Sequence, residues 1–248
     1  MSEWAVVVGA SGALGRPIAR RLAGRGLTVL AVSRTAETLA ELADTVPGIV
    51  PCVADLRSDA ASESIAAELG GRVRVAVHVA GIPLGGTVDD VTTDAVSAAI
   101  DLKVNGMLRL VRAVDSHLER GSRLIAVTGN LGYDPIPEAV TAGVANAALA
   151  NLVRQLSRAY SPRGVTCHAI APGPVDTDRL RALVADMARV QHLDEEVMLE
   201  RLQSAAPTGE LAMPEQVAWA VSLLLDPEAT ALAGSTLLLD MGRRTAIP

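Results

Sequence analysis

The chain has 248 residues, half of them apolar, and a formal net charge of −6. That length suits one large α/β domain, and the acidic balance, with no basic run longer than two residues, argues against a nucleic-acid partner. Aromatic residues make up 2% and Phe is absent, so the core has to be built from Ala, Val, Leu and Ile. The longest apolar stretch, residues 217–225, is broken by Ser222 and too short for a bilayer, so no membrane partner is expected. Cys52 and Cys167 both fall in expected strands as buried free thiols, and no charged-then-apolar leader precedes the first strand. Both features suit a cytoplasmic protein. His78, His117, His168 and His192 are scattered without ligand spacing, so no metal is expected.

In chain order, Val6-Val7-Val8 is a β-branched run ending in Gly9-Ala10-Ser11-Gly12-Ala13-Leu14-Gly15. Ile18, Ala19, Leu22 and Ala23 then recur at helical spacing. Strand, glycine turn and helix in succession present a helix N-terminus to a phosphate. Gly9 allows the sharp exit from the strand, Gly12 lets the backbone approach a pyrophosphate, and Gly15 lets the helix pack closely on the sheet. Strands are expected near 4–9, 27–33, 48–53, 72–78, 122–128, 164–170 and 235–240. Helices are expected near 14–25, 35–44, 59–69, 92–119, 138–160, 178–203 and 214–225. This alternation describes one α/β domain, a doubly wound, seven-stranded parallel sheet with helices on both faces. The charged, amphipathic stretch 178–207 reads either as a substrate-covering flap or as a plain surface helix.

The segments beyond the glycine turn resemble those of the short-chain dehydrogenase/reductase family. Asp55-Leu56 follows the third strand, where members place an Asp near the adenine. His78-Val79-Ala80-Gly81 is similar to the family's Asn-Asn-Ala-Gly, and Pro172-Gly173-Pro174-Val175-Asp176-Thr177 matches its P-G-x-x-x-T. Leu239-Asp240-Met241-Gly242 resembles its last strand. The resemblance implies a Rossmann-type fold and a dinucleotide cofactor. It places cofactor contacts on Gly9, Ser11, Gly12, Leu14, Gly15, Asp55, Leu56, Ala80, Gly81, Pro172, Gly173 and Thr177, the Thr meeting the nicotinamide amide. The second strand ends Val32-Ser33-Arg34, with no acid to bind both ribose hydroxyls. Arg34 suits a 2′-phosphate, so NADP is expected, with NAD as the alternative.

The resemblance fails at the chemistry. The family's acid/base Tyr falls at Ala142, its Lys at Asn146, its Ser at Gly129 and its Asn at Lys103. No Lys occurs from Val104 onward, which excludes a shifted Tyr/Lys pair. A partial resemblance to enoyl-acyl-carrier-protein reductases, carried by Gly129-Asn130-Leu131-Gly132 and Gly143-Val144-Ala145-Asn146, moves the Tyr position to Ala139 and leaves the Lys at Asn146. Asn146 remains able to bond a ribose hydroxyl. The substitute candidates are Tyr133, after the fifth strand, Lys103, on the helix facing the site in relatives, and Thr128, at the strand end.

These readings lead to an NADP(H)-linked oxidoreductase acting on a small carbonyl or enone with a non-standard proton donor. Two alternatives stay open: a catalytically silent subunit or scaffold working with a catalytic partner chain, and a non-redox cyclase, lyase or isomerase reusing the pocket. Relatives often pair through their long helices, and the small residues Ala139, Ala142, Gly143, Ala145, Ala147, Ala148 and Ala150 suit a homodimer or homotetramer.

Overall fold

The computed structural model describes residues 3–81 and 86–245. Seven apolar runs form β1 (Trp4–Val8), β2 (Thr28–Ser33), β3 (Ile49–Val53), β4 (Val73–His78), β5 (Leu118–Val127), β6 (Thr166–Pro172) and β7 (Thr236–Leu239). They lie in the order β3-β2-β1-β4-β5-β6-β7, each pair parallel. The chain winds outward from β1 to β3, then returns to lay β4 on the other side of β1. That reversal opens a crevice at the C-terminal ends of β1 and β4, where doubly wound sheets bind ligands.

The alternation of side chains along β1 divides the core. Ala5 and Val7 pack on one face with Ile18, Leu22, Leu39, Leu42 and Val221. Val6 and Val8 pack on the other with Ile65, Met107, Leu110, Leu149 and Val153. The first face is covered by α1 (Gly15–Ala23), α2 (Ala36–Thr45) and α9 (Pro214–Leu223). The second is covered by α3 (Ala60–Ala67), α5 (Gly106–Val114) and α6 (Val140–Tyr160). Burial on both faces is why these strands read as continuous apolar runs rather than alternating ones.

Two expected helices are each divided. The span 92–119 consists of α4 (Thr93–Ile100), a π turn (Asp101–Asn105), α5 and a 3₁₀ turn (Asp115–His117). Leu118 already belongs to β5, pairing with Val73 before the register shifts. A π turn keeps the chain helical and adds a single residue, a one-position shift too small to separate two helices in the sequence pattern. The span 178–203 separates into α7 (Asp178–Gln191) and α8 (Glu195–Ser204), parted at His192, which is left-handed with φ 53°. These two helices share a small apolar cluster of Val184, Ala188 and Met198, separate from the sheet cores. Cys52 and Cys167 are free and buried, and burial pushes the Cys167 thiol up to about 12. Among the described residues no helix is long and apolar enough to cross a membrane.

Candidate active site

A cleft of about 730 Å³ follows the C-terminal edge of the sheet, and every residue named above as a cofactor contact lines it. The glycine turn forms its floor. Gly9 has φ +84°, and a Cβ there would stand 2.9 Å from the Ala80 amide nitrogen. A Cβ on Gly15 would fall on the Gly9 carbonyl. Gly15 therefore serves closure of the turn on itself, a correction to its expected role against the sheet. Gly12 differs, because its Cβ would meet only the Gly9 oxygen, at 3.4 Å. The protein's own packing does not require glycine there, which leaves that space for a ligand. No side chain caps the start of α1. Pro17 has no N–H, and the Arg16 and Ile18 amides already bond the Gly12 and Leu14 carbonyls, so the Gly15 amide is what its first turn leaves for an anion. Arg16 braces the turn, bonding the Ser11 carbonyl at 3.2 Å while its other nitrogens hold Glu41 at 3.0 and 3.1 Å.

At the adenosine end Arg34 lines the cleft with Ser33 and Thr35. Asp55 is held by Arg57, which donates from Nη2 to Oδ2 at 2.6 Å and from Nε to both oxygens at 3.1 Å. That guanidinium holds the Asp55 carboxyl below the usual range. Arg57 was not recognised in the sequence, because only the Asp is part of a motif.

Lys103, Gly129, Ala142 and Asn146 all line the same cleft, whereas Ala139 does not. The four aligned positions thus share one cleft, and the alternative Tyr position at Ala139 does not line it. Asn146 is 6% exposed, and its Oδ1 has no hydrogen-bond partner among the described residues. A buried acceptor without a donor is costly. A ribose hydroxyl supplies that donor, so the residues present fit a dinucleotide. Asn105, two residues beyond Lys103, turns to the surface and donates to Asp101 at 2.9 Å.

Lys103 sits within the π turn, and its ammonium donates to the carbonyls of Val127 and Thr128 at 3.3 and 3.4 Å. Burial lowers its pKa to about 8, and the positive charge of Arg179 adds to the shift. It is the only lysine of the chain, against 21 arginines among 22 basic Lys and Arg residues. An arginine cannot release a proton near neutral pH and a desolvated lysine can. That compositional signal was present in the sequence. Arg179, on the first turn of α7, was hidden in a stretch already rich in charge.

Behind the cleft, His78 is 1% exposed. Its Nε2–H donates to the Leu102 carbonyl at 2.9 Å, which leaves Nδ1 unprotonated and without a partner among the described residues. Burial pushes its pKa down to about 4. His78 is not part of the cleft lining, so it anchors the π turn from beneath.

The other substitute candidates are differently placed. Tyr133 lies outside the cleft lining. Its hydroxyl meets Thr236 Oγ1 at 2.7 Å on β7, and its ring faces the Arg244 guanidinium at 5.9 Å. The Asn130–Gly132 3₁₀ turn carries the chain past the cleft before Tyr133 is reached. Thr128 does line the cleft, but its hydroxyl donates to the Ile170 carbonyl at 3.2 Å. Thr177 lines the cleft and also caps α7, its Oγ1 accepting from the Leu180 amide at 3.2 Å. No group of three His, Cys, Asp or Glu able to hold a metal exists among the described residues.

The family model described as enoyl-(acyl carrier protein) reductase matches residues 9–244. The chain therefore belongs to the short-chain dehydrogenase/reductase family. It is 30% identical to the short-chain reductase protein NovJ of Streptomyces niveus, over 96% of this chain and 93% of that one. It is also 30% identical to the 3-oxoacyl-[acyl-carrier-protein] reductase FabG of Vibrio cholerae, over 96% of each chain. Its fold is similar to that of a variant of the actinorhodin polyketide ketoreductase solved with NADPH, with a TM-score of 0.91, 23% identity and coverage of 99% and 98%.

Proposed function

We propose that this protein is an NADP(H)-linked reductase of a small carbonyl or enone compound, with Lys103 as the proton donor in place of the family's Tyr. The observation that carries the reading is the convergence of Lys103, Gly129, Ala142 and Asn146 on one cleft in which Lys103 is the group poised to exchange a proton near neutral pH. Relatives named as reductases, and a neighbour of the same fold solved with NADPH, agree with it.

In this reading the Gly15 amide at the start of α1 and the space over Gly12 hold the pyrophosphate. Arg34 meets the 2′-phosphate, with NAD bound more weakly for want of an acid. Asn146 Oδ1 accepts from a ribose hydroxyl, and Thr177 lies on the nicotinamide side. When bound, the nicotinamide supplies the hydride. Lys103 holds a proton at Nζ and gives it to the substrate oxygen as negative charge develops there. The carbonyls of Val127 and Thr128 keep that ammonium aimed along the end of β5. Thr128 orients this wall without donating. The first turn of α7, through Arg179, Leu180 and Leu183, forms the substrate wall of a flap over 178–207.

A cytoplasmic location accords with the two buried free thiols. A homodimer or homotetramer is supported by Val144, 45% exposed on the outer side of α6, beside the exposed Ala147. Some of the small residues of α6 serve the chain itself, since a Cβ on Gly132 would stand 2.8 Å from the Ala147 amide nitrogen.

Calorimetry with NADPH and NADH, on the wild type and Arg34→Ala, tests the cofactor assignment. Micromolar NADPH binding that falls about tenfold in the variant is expected, the weight of one charge-assisted contact. NADPH oxidation with a panel of ketones and enones tests the activity, and loss of turnover in Lys103→Met with retained NADPH binding tests the donor. Binding without turnover across the panel supports the silent-subunit reading, which the missing Tyr favours. Substrate conversion without cofactor supports the non-redox one.

A further inference from the structure

The cleft is far more cationic than the protein around it. The chain carries −6, yet Arg34, Arg57, Lys103 and Arg179 line the cleft against a single carboxylate, Asp55. Arg57 already holds that carboxylate. A low-dielectric cleft of one sign focuses its field on ligands of the other. Arg34 and Arg57 stand at the adenosine end, and the uncapped start of α1 forms the floor. Lys103 and Arg179 are left at the opposite end, where β5 meets α7.

Neither of these two cations meets an acid among the described residues. The partners of Lys103 are two backbone carbonyls. Arg179 makes no hydrogen bond or ion pair with any described residue, although many other arginines of this chain are paired, as in Arg16–Glu41, Arg109–Asp59 and Arg163–Asp115. Burial first, and the charge of Arg179 second, lower the lysine's affinity for its proton. Two like charges facing one another in a partly desolvated cleft cost stability, and an anion bound between them removes the cost. Leu180 and Leu183 supply an apolar wall next to Arg179.

We infer that Lys103 and Arg179 form an anion-recognition pair, so that the substrate is a carbonyl compound carrying a carboxylate or a phosphate beside its reacting oxygen. The reaction at that oxygen rests on the reductase reading above, while the anion site does not. Arg179 holds the anionic group through its planar fork, Lys103 faces the adjacent oxygen, and any hydrocarbon part lies on Leu180 and Leu183.

A protein with one lysine allows a direct test. Grown with ¹³C-labelled lysine, it gives a single set of lysine resonances, all from Lys103. The cofactor-free protein is titrated at constant ionic strength with acetoacetate and with dihydroxyacetone phosphate, and then with the uncharged methyl acetoacetate and dihydroxyacetone. A saturable shift with at least one charged probe is expected, together with a rise in the Lys103 titration midpoint. The responding probe distinguishes carboxylate from phosphate, and the uncharged compounds should leave the signal in place. Arg179→Gln should weaken the charged probe about tenfold and leave NADPH affinity within about twofold. Silence towards both charged probes, or an equal response to the uncharged ones, overturns the inference. So does a loss in Arg179→Gln that falls on NADPH, which would assign the guanidinium to the cofactor's phosphates. Failure of the wild type to bind NADPH would overturn the reductase reading and leave the anion titration standing.

Discussion

A Cβ on Gly129 would stand 2.6 Å from Asn146 Nδ2. The two positions aligned in the sequence with the family's Ser and Lys are therefore coupled: the Asn side chain occupies the space where a side chain at 129 would begin. Gly129→Ser alone should displace Asn146 and cost about 1–2 kcal/mol, a fall in Tm of a few degrees. Gly129→Ser with Ala142→Tyr and Asn146→Lys removes that collision and places a phenol beside an ammonium, which lowers the phenol pKa. The triple variant should gain ketone reduction of about 10²-fold over the wild type, read by NADPH oxidation. A triple variant that folds, binds NADPH and shows no gain would refute the register.

Lys103 links stability and chemistry with opposite signs. Its pKa falls from 10.5 in the unfolded chain to about 8 in the fold. The unfolded state binds more protons between those values, so stability rises with pH across that window, and the full cost is present below pH 8. Lys103→Met should therefore raise stability by about 1 kcal/mol or more at pH 7 while turnover is lost. In the wild type kcat/KM should fall above pH 8 as the ammonium deprotonates. Urea unfolding and a pH–rate profile measure both. A less stable Lys103→Met, or a profile flat through pH 9, would contradict the assignment. Tyr133→Phe should keep wild-type turnover, since that hydroxyl is spent on Thr236.

The glycine turn separates fold from function within four residues. Gly15→Ala should fail to fold or lose several degrees of Tm, because its Cβ falls on the Gly9 carbonyl. Gly12→Val should fold, since a Cβ there meets only the Gly9 oxygen at 3.4 Å, and should abolish nucleotide binding. Circular dichroism and fluorescence titration with NADPH distinguish the two. Normal cofactor binding by Gly12→Val would show that the pyrophosphate lies elsewhere.

Much of this was legible in the residues. The doubly wound sheet followed from apolar runs separated by helical periodicity, and glycine spacing with Arg34, Asp55 and Thr177 located the cleft. Strand ends drifted by up to four residues, as at Leu118, because β5 begins before a register shift that apolar patterning does not record. The π turn escaped detection because the chain stays helical on both sides of it, yet it is this turn that carries Lys103. Tyr133 suggested itself by residue type and chain position, but which way a loop side chain turns depends on Thr236, 103 residues away. Arg57 and Arg179 belong to no motif, and only the folded cleft shows that they share it.

Two buried histidines set the acid limit of the fold. His78 and His168 both have pKa values lowered to about 4 by burial, against 6.5 when unfolded. His168 bonds the Leu232 carbonyl and Thr166 Oγ1 and lies near the buried Arg123. Below pH 6.5 the unfolded chain takes up protons that the folded one refuses, so the histidine contribution to stability is constant above that pH and falls progressively down to about pH 4. Each histidine contributes up to about 3 kcal/mol to that fall. His78→Asn preserves a donor to the Leu102 carbonyl and should remove about half of the pH dependence between 7 and 4.5. Urea midpoints at pH 7.5, 5.5 and 4.5 measure it. An identical slope in His78→Asn would mean that His78 takes up its proton in the folded state, and that the orphaned Nδ1 has an acceptor in solution.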